Sequence, residues 1–241
     1  MAERKTARRA PDDMTLGERV WEWFKSLAVI IVLFLVIRTF LVQTFVITSG
    51  SMEDTLEVGD FLLISKAAYG AVIPGTEKRL PGYTDPQRGD IIVFRARHEP
   101  NMDLVKRLIG LPGDTVAMVD GVLYLNGEPQ DEPYLYAGPT AQDATHPAFD
   151  WQREFLVDDS TGAPYRPTLH TWGPIVVPEA RYFALGDNRE QSLDSRFWGF
   201  VEAAKVKGRA VFLYWSYDGE SLRPFPWLTA VRWERLGDRV R

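Results

Sequence analysis

The chain contains no cysteine. That excludes a disulfide framework, a zinc–thiolate site and a cysteine nucleophile, and it is compatible with an oxidising exterior. Histidine is nearly as scarce, with only His98, His146 and His170. No basic stripe is present either. Acidic residues outnumber basic ones, 33 to 28, for a net charge of -5, which argues against a nucleic-acid partner. Internal repeats and low-complexity tracts are missing. The 241 residues suffice for one sizeable β-rich domain, with or without an elaborated insert. With 45% hydrophobic and 25% charged residues the composition is ordinary, so any membrane signal has to be local.

One such signal is present. Leu27 to Ile37 is uninterrupted apolar sequence that ends at Arg38. Phe40, Leu41, Val42, Phe45, Val46 and Ile47 extend it to roughly the ~20 residues of a spanning helix. A buried core helix and a cleaved signal peptide are the alternatives. A cleavable segment would end in a small-residue site, whereas Gln43-Thr44-Phe45 follows here. Trp21, Trp23 and Phe24 stand where an interfacial aromatic belt would lie. The segment therefore reads as an anchor. Arg4, Lys5, Arg8, Arg9, Arg19 and Lys25 precede it, and positive flanks of a first span stay cytoplasmic. The expected layout is a cytoplasmic tail at 1–25, a transmembrane anchor at 26–43 and an extracytoplasmic domain at 44–241. Arg38, near the outer end, reads as a snorkelling residue.

Beyond the anchor come short β-branched and aromatic runs bounded by glycine and proline, the pattern of strands. Phe61–Ile64, Ile91–Phe94, Thr115–Val119, Val122–Leu125, Ile175–Val177, Arg181–Leu185 and Ala210–Trp215 are the candidates. Asp120-Gly121 marks a two-residue hairpin, and Asn126-Gly127 the next turn. Between 128 and 172 the pattern fades into prolines, acids and polar residues, as expected of an insert or small subdomain.

Ser51, in the run Ser49-Gly50-Ser51-Met52, is a reactive-looking hydroxyl close to the anchor. A serine needs a base to take its proton. His98, His146 and His170 lie in charged or irregular segments and read as solvated loop residues, so a Ser-His-Asp triad is disfavoured. Lysine is the alternative, although at its ordinary pKa only about 4 in 10,000 side chains are neutral at pH 7. Burial corrects that. Strand alternation puts Lys106 and Leu108 on one face and Val105, Arg107 and Ile109 on the other, so a lysine facing an apolar interior is plausible.

Four ordered blocks carry a family likeness: Ser49 to Met52, Arg88 to Phe94, Lys106 to Asp114, and Gly186 to Gly199. With the preceding anchor, they resemble bacterial type I signal peptidases, and the resemblance covers the chain beyond the tail. It implies a mainly β fold: an antiparallel β-sheet catalytic domain with a smaller inserted subdomain, behind one N-terminal transmembrane helix. It implies endoproteolytic removal of signal peptides from exported preproteins, after small residues, at the plasma membrane of a bacterium. The lipid bilayer is then a partner, and neither a metal nor an organic cofactor is required. Carried onto this chain, Ser51 is the nucleophile and Lys106 the general base. The Ser51 N–H and the Ser49 hydroxyl form the oxyanion hole, Ser192 orients the lysine, and Asp194 pairs with Arg196 to fix the loop. Asp187, Asn188 and Arg189 read as scaffold. Thr48 and Asp54 stand where the family commonly has proline, which implies a less rigid turn. Glu190 and Gln191 also vary from the frequent residues. A specialised processing protease or self-cleaving protein with a Ser/Lys dyad and an inactive tethered binding module are the competing readings. The anchor and the lack of an obvious DNA-binding segment disfavour a self-cleaving repressor, and the presence of both Ser51 and Lys106 disfavours the inactive module.

Overall fold

The structure, a computed structural model, describes residues 15–76, 78–96, 102–157 and 164–240. The basic residues Arg4, Lys5, Arg8 and Arg9 fall outside the described residues, as does His98.

Helix α1, Leu16–Val36, starts at a capping box in which the Glu18 backbone N–H donates to Thr15 Oγ1 and Thr15 N–H donates to the Glu18 carboxylate. A π-helical turn at Ile37–Leu41 continues it and passes straight into strand β1, Val42–Val46. The stretch Leu16–Leu41 has 26 residues and a mean hydropathy of 2.3, and protein buries none of its apolar window. It is long and apolar enough to cross a membrane. A helix apolar on every side and covered by nothing is not the core helix of a soluble domain. Lys66 Nζ donates to the Arg38 and Thr39 carbonyls at 3.1 and 3.2 Å, satisfying acceptors that a helix end leaves open.

The remaining strands are β2 Asp60–Ser65, β3 Ile91–Arg95, β4 Asp103–Gly110, β5 Thr115–Val119, β6 Val122–Leu125, β7 Glu128–Pro129, β8 Trp172–Val176, β9 Arg181–Leu185, β10 Val201–Glu202 and β11 Val206–Ser216. Short helices α2, Ser195–Trp198, and α3, Pro226–Thr229, flank β10 and β11. Every pairing is antiparallel. The larger sheet runs β1-β2-β11-β3-β4-β9-β10, the smaller β7-β6-β5-β8. Each expected strand is present, with the segment near Ile175 starting earlier, at Trp172. Asp120-Gly121 joins β5 to β6 with φ of 49° and 81°, and Asn126-Gly127 joins β6 to β7 with 52° and 85°. Positive φ at both positions matches the twist of the strands they join.

β3 shows why its apolar run is continuous instead of alternating. Ile91 and Val93 enter a cluster with Ile47, Met52 and Leu62, while Ile92 and Phe94 enter one with Leu108 and Ala184. Both faces of the central sheet are covered, so both sets of side chains are apolar. A third cluster joins β4 and β9 to the smaller sheet through Ile109, Phe183, Leu185, Val116, Leu123 and Trp172. Residues 128–172 supply β7, a 3₁₀ segment at Pro147–Phe155 and the loops around that sheet.

Candidate active site

Ser51 is held by a short turn between two anchored ends. Upstream, Ile47 N–H donates to Asp60 O and Ile47 O accepts from Gly59 N–H, fixing the chain beyond β1. Downstream, Met52 and Leu56 are buried in the core. Between them Gly50–Met52 forms one 3₁₀ turn that leaves Ser51 buried, with its carbonyl accepting from Asn188 N–H at 3.2 Å. Ser49, in extended backbone, places Oγ 3.5 Å from Ser51 Oγ. Asp54 has φ 71°. Proline is locked near -65°, so it does not fit this turn, and the expected loss of rigidity does not apply at this position. Aspartate tolerates the left-handed region better than most side chains.

Lys106 reaches the same point from β4. It is 3% exposed, and Nζ donates to Ser51 Oγ at 2.5 Å. Burial pulls the ammonium down to about 8, against the opposing pull of the Asp194 and Asp187 carboxylates. At that value about one lysine in ten is neutral at pH 7, more than a hundredfold above the free side chain.

The third element is the loop from Gly186 to Gly199. At Gly186 a Cβ would lie 2.3 Å from Ser192 Oγ and 2.4 Å from Ser51 O. Only glycine lets this loop lie against the backbone of Ser51. Asp194 and Arg196 are fully buried and joined by two bonds of 2.9 Å. Burial alone would raise the Asp194 carboxyl, but the Arg196 guanidinium, together with Lys106 and the Ser192 hydroxyl, outweighs it and holds the group below the usual carboxylate range. Arg196 Nη2 also donates to the Arg189 carbonyl at 2.6 Å, and Gly186 N–H donates to Asp194 Oδ2. Ser195 Oγ accepts from Ala184 N–H at 3.0 Å and so ties the loop to β9. Ser192 is brought beside the dyad without a bond to Lys106. Its buried Oγ lies close enough to help hold the Asp194 carboxyl low, but has no partner in hydrogen-bond geometry among the described residues.

The geometry also depends on residues to which the sequence assigned no role, Thr55, Arg107, Glu132 and Tyr134, beside the expected scaffold residues Asp187 and Arg189. Arg107 makes a bidentate pair with Asp187, at 2.8 and 2.6 Å, and donates to Gly89 O. Thr55 Oγ1 adds a bond to Asp187. The Tyr134 ring covers the Arg107 guanidinium at 3.8 Å, and its hydroxyl donates to Glu132. Glu132 in turn pairs with Arg189. His170 corrects an expectation. It is not a solvated loop residue, because its side chain is 15% exposed and Nε2 lies 2.9 Å from Glu190 Oε1. His146 caps the Pro147–Phe155 segment and stacks near Phe149 and Phe197. Among the described residues no cluster of three or more His, Asp or Glu side chains is arranged to hold a metal ion.

A cleft of about 350 Å³ opens onto the dyad, walled by residues 46–49 on one side and 102–106 on the other. Both walls offer free backbone. Among the described residues β1 pairs only with β2, and β4 pairs with β9 only from Arg107 onward. The cleft also borders an apolar surface, for Val46 is registered with Phe61 and Phe61 with Trp215. The Trp215 indole stacks edge-on with Trp233 and donates to Trp227 O. Phe225, Trp227, Leu228 and Trp233 are all more than half exposed, so these aromatics are not core packing.

The profile of the family described as signal peptidase, peptidase S26, matches residues 20–215. Signal peptidase I of Pseudomonas fluorescens is 36% identical over 224 residues, covering 85% of this chain and 76% of the relative. Signal peptidase I of Pseudomonas aeruginosa is 37% identical over 218 residues, with the same coverage of 85% and 76%. A crystal structure of a signal peptidase I from Enterococcus faecalis shares 38% identity at a TM-score of 0.36, covering 52% of this chain and 97% of that one. A profile spanning most of the chain and relatives above a third identical over most of their own length lead to one conclusion: this chain belongs to the S26 signal peptidase family.

Proposed function

We propose that this signal peptidase cleaves preproteins through a Ser51–Lys106 dyad, after small residues, at the outer face of a bacterial plasma membrane. The observation that carries the reading is the buried 2.5 Å contact between Lys106 Nζ and Ser51 Oγ. Among the described residues His146 and His170 are engaged elsewhere, and Lys106 is the base in contact with the hydroxyl.

Ser51 Oγ attacks the scissile carbonyl carbon while neutral Lys106 takes the hydroxyl proton. The oxyanion that forms is held by the Ser51 N–H and the Ser49 hydroxyl, donors aimed at charge absent from the ground state. The Lys106 ammonium then protonates the leaving amine as the C–N bond breaks. A water attacks the acyl-enzyme with Lys106 again as base, and Ser51 is released. Ser192 supplies the hydroxyl that orients the amine, which gives its unpaired buried oxygen a use. The Arg196 guanidinium paired with Asp194 offsets part of the rise that this carboxylate imposes on Lys106.

The preprotein enters extended between the two free edges of the cleft, borrowing their backbone hydrogen bonds as an added strand. The catalytic unit comprises 44–241, with 128–172 as its subdomain, and the tail 1–25 remains cytoplasmic. The exposed aromatics around Trp227 meet the bilayer interface, where indoles are favoured. To test this, the detergent-solubilised protein is incubated with a preprotein and the new N-terminus is sequenced. Cleavage is expected behind a small residue, abolished in Lys106→Arg because a guanidinium does not deprotonate near neutral pH, and retained in His146→Ala. Substantial activity in Lys106→Arg would overturn the dyad.

A further inference from the structure

Two arginines flank the dyad. Arg107 follows the base on β4, and Arg189 lies in the loop that carries Ser192. A single short segment of the 128–172 region holds both. Glu132 takes three donors: Arg189 Nη1 at 3.0 Å, Arg189 Nη2 at 2.5 Å and the Tyr134 hydroxyl at 2.7 Å. Tyr134 lays its ring on the Arg107 guanidinium. Two residues further on, Tyr136 N–H donates to the Asp187 carbonyl at 3.2 Å. From Arg189 the chain of bonds continues to Gly186 O and, through the Arg189 carbonyl, to Arg196.

We propose that Glu132 and Tyr134 are positioning residues for peptide hydrolysis: they clasp the strand bearing Lys106 to the loop bearing Ser192 and keep the lysine pocket shut to water. The side chains of Glu132 and Arg189 are 4% and 9% exposed. A buried ion pair stabilises a fold no better than apolar filling of the same space, so its retention here matches a demand for fixed geometry. The geometry has a reader. Lys106 feels the charges of Asp194, Asp187 and Arg196, and the last two are bonded to the clasp through Arg107, Tyr136 and Arg189. A second strap acts on the same loop, since His170 of the same region holds Glu190, the residue after Arg189.

The inference rests on Lys106 being the base, and the test separates the two. Full-length protein in detergent is assayed on a peptide substrate from pH 6 to 10, as wild type and as Glu132→Gln, Tyr134→Leu and Tyr134→Phe. Wild type shows an acid limb of kcat/KM set by Lys106. Its absence sinks the dyad reading and the clasp with it. In Glu132→Gln and Tyr134→Leu, kcat falls by roughly ten- to a hundredfold, the scale of an ångström of misplacement, with KM little changed. The acid limb moves up by on the order of half a unit as water reaches the ammonium. Tyr134→Phe keeps the ring on Arg107 and loses only the hydroxyl, so its loss is smaller. Should Glu132→Gln fail to fold, the two Tyr134 variants decide. An unmoved limb and unchanged kcat in folded variants, with only the melting temperature lowered, would overturn the clasp.

Discussion

Lys106 titrates near 8 in the folded chain, below its ordinary 10.5, so the unfolded chain holds the proton more tightly. Below about pH 8 the folded protein has to carry a buried ammonium, and the full penalty applies. As pH rises through 10.5 the unfolded chain loses its proton too, and the penalty vanishes. Stability on this account climbs between those values. Lys106→Met removes the penalty while conserving apolar bulk. The variant should be inactive yet more stable at pH 7, by at most about 3 kcal/mol, with the advantage gone near pH 10.5. Denaturation of both proteins in detergent at pH 7 and pH 10 measures it, and parallel pH dependence in the two would show that Lys106 is not the desolvated group. On the proposed dyad, catalytic readiness is thus set against folding at one side chain.

The turn that presents Ser51 makes its own demand. Asp54 sits at φ 71°, outside the range of proline and within that of glycine. Asp54→Gly should leave thermal stability and kcat near wild type, whereas Asp54→Pro should cost roughly 1–3 kcal/mol. Comparable melting temperatures for the two variants would show that the turn is not left-handed there. Nothing in the sequence announced that conformation, because a single aspartate fits several turn types. Elements with a local cause were legible. Asp-Gly and Asn-Gly turns demand positive φ from two neighbours, and the runs at Ile91 and Val116 have the residues a strand requires. Ser51, Lys106 and the pair Asp194–Arg196 were legible through their ordered blocks, and the structure brings all four together. The clasp was not. Glu132 and Tyr134 stand in a segment with no periodicity, and their partners Arg189 and Arg107 are 57 and 27 residues away in sequence. Their contacts exist only once both sheets are docked. For the same reason His170 was read as solvated: its partners Asp143 and Glu190 come from separate loops.

On the scale of the whole molecule, the exposed aromatics and the active-site cleft share one rim, running Val46, Phe61, Trp215 by strand register. If that rim rests on lipid, Trp227→Ala should weaken cleavage of a preprotein reconstituted in vesicles severalfold. Hydrolysis of a short soluble peptide in detergent should stay near wild type, since Trp227 is more than half exposed and surface changes of this kind alter stability little. Equal losses on both substrates would assign Trp227 to the fold. α1 runs into β1 without a linker, and Lys66 fastens the helix's last carbonyls to the end of the neighbouring strand. A tilt or a sinking of the helix is therefore passed to the whole sheet. If α1 lies in the bilayer, it works as a ruler as well as a tether. Where its apolar residues stop would set the height at which Ser51 rides, and a thicker or thinner bilayer would bring a different peptide bond of the same preprotein level with this proposed nucleophile.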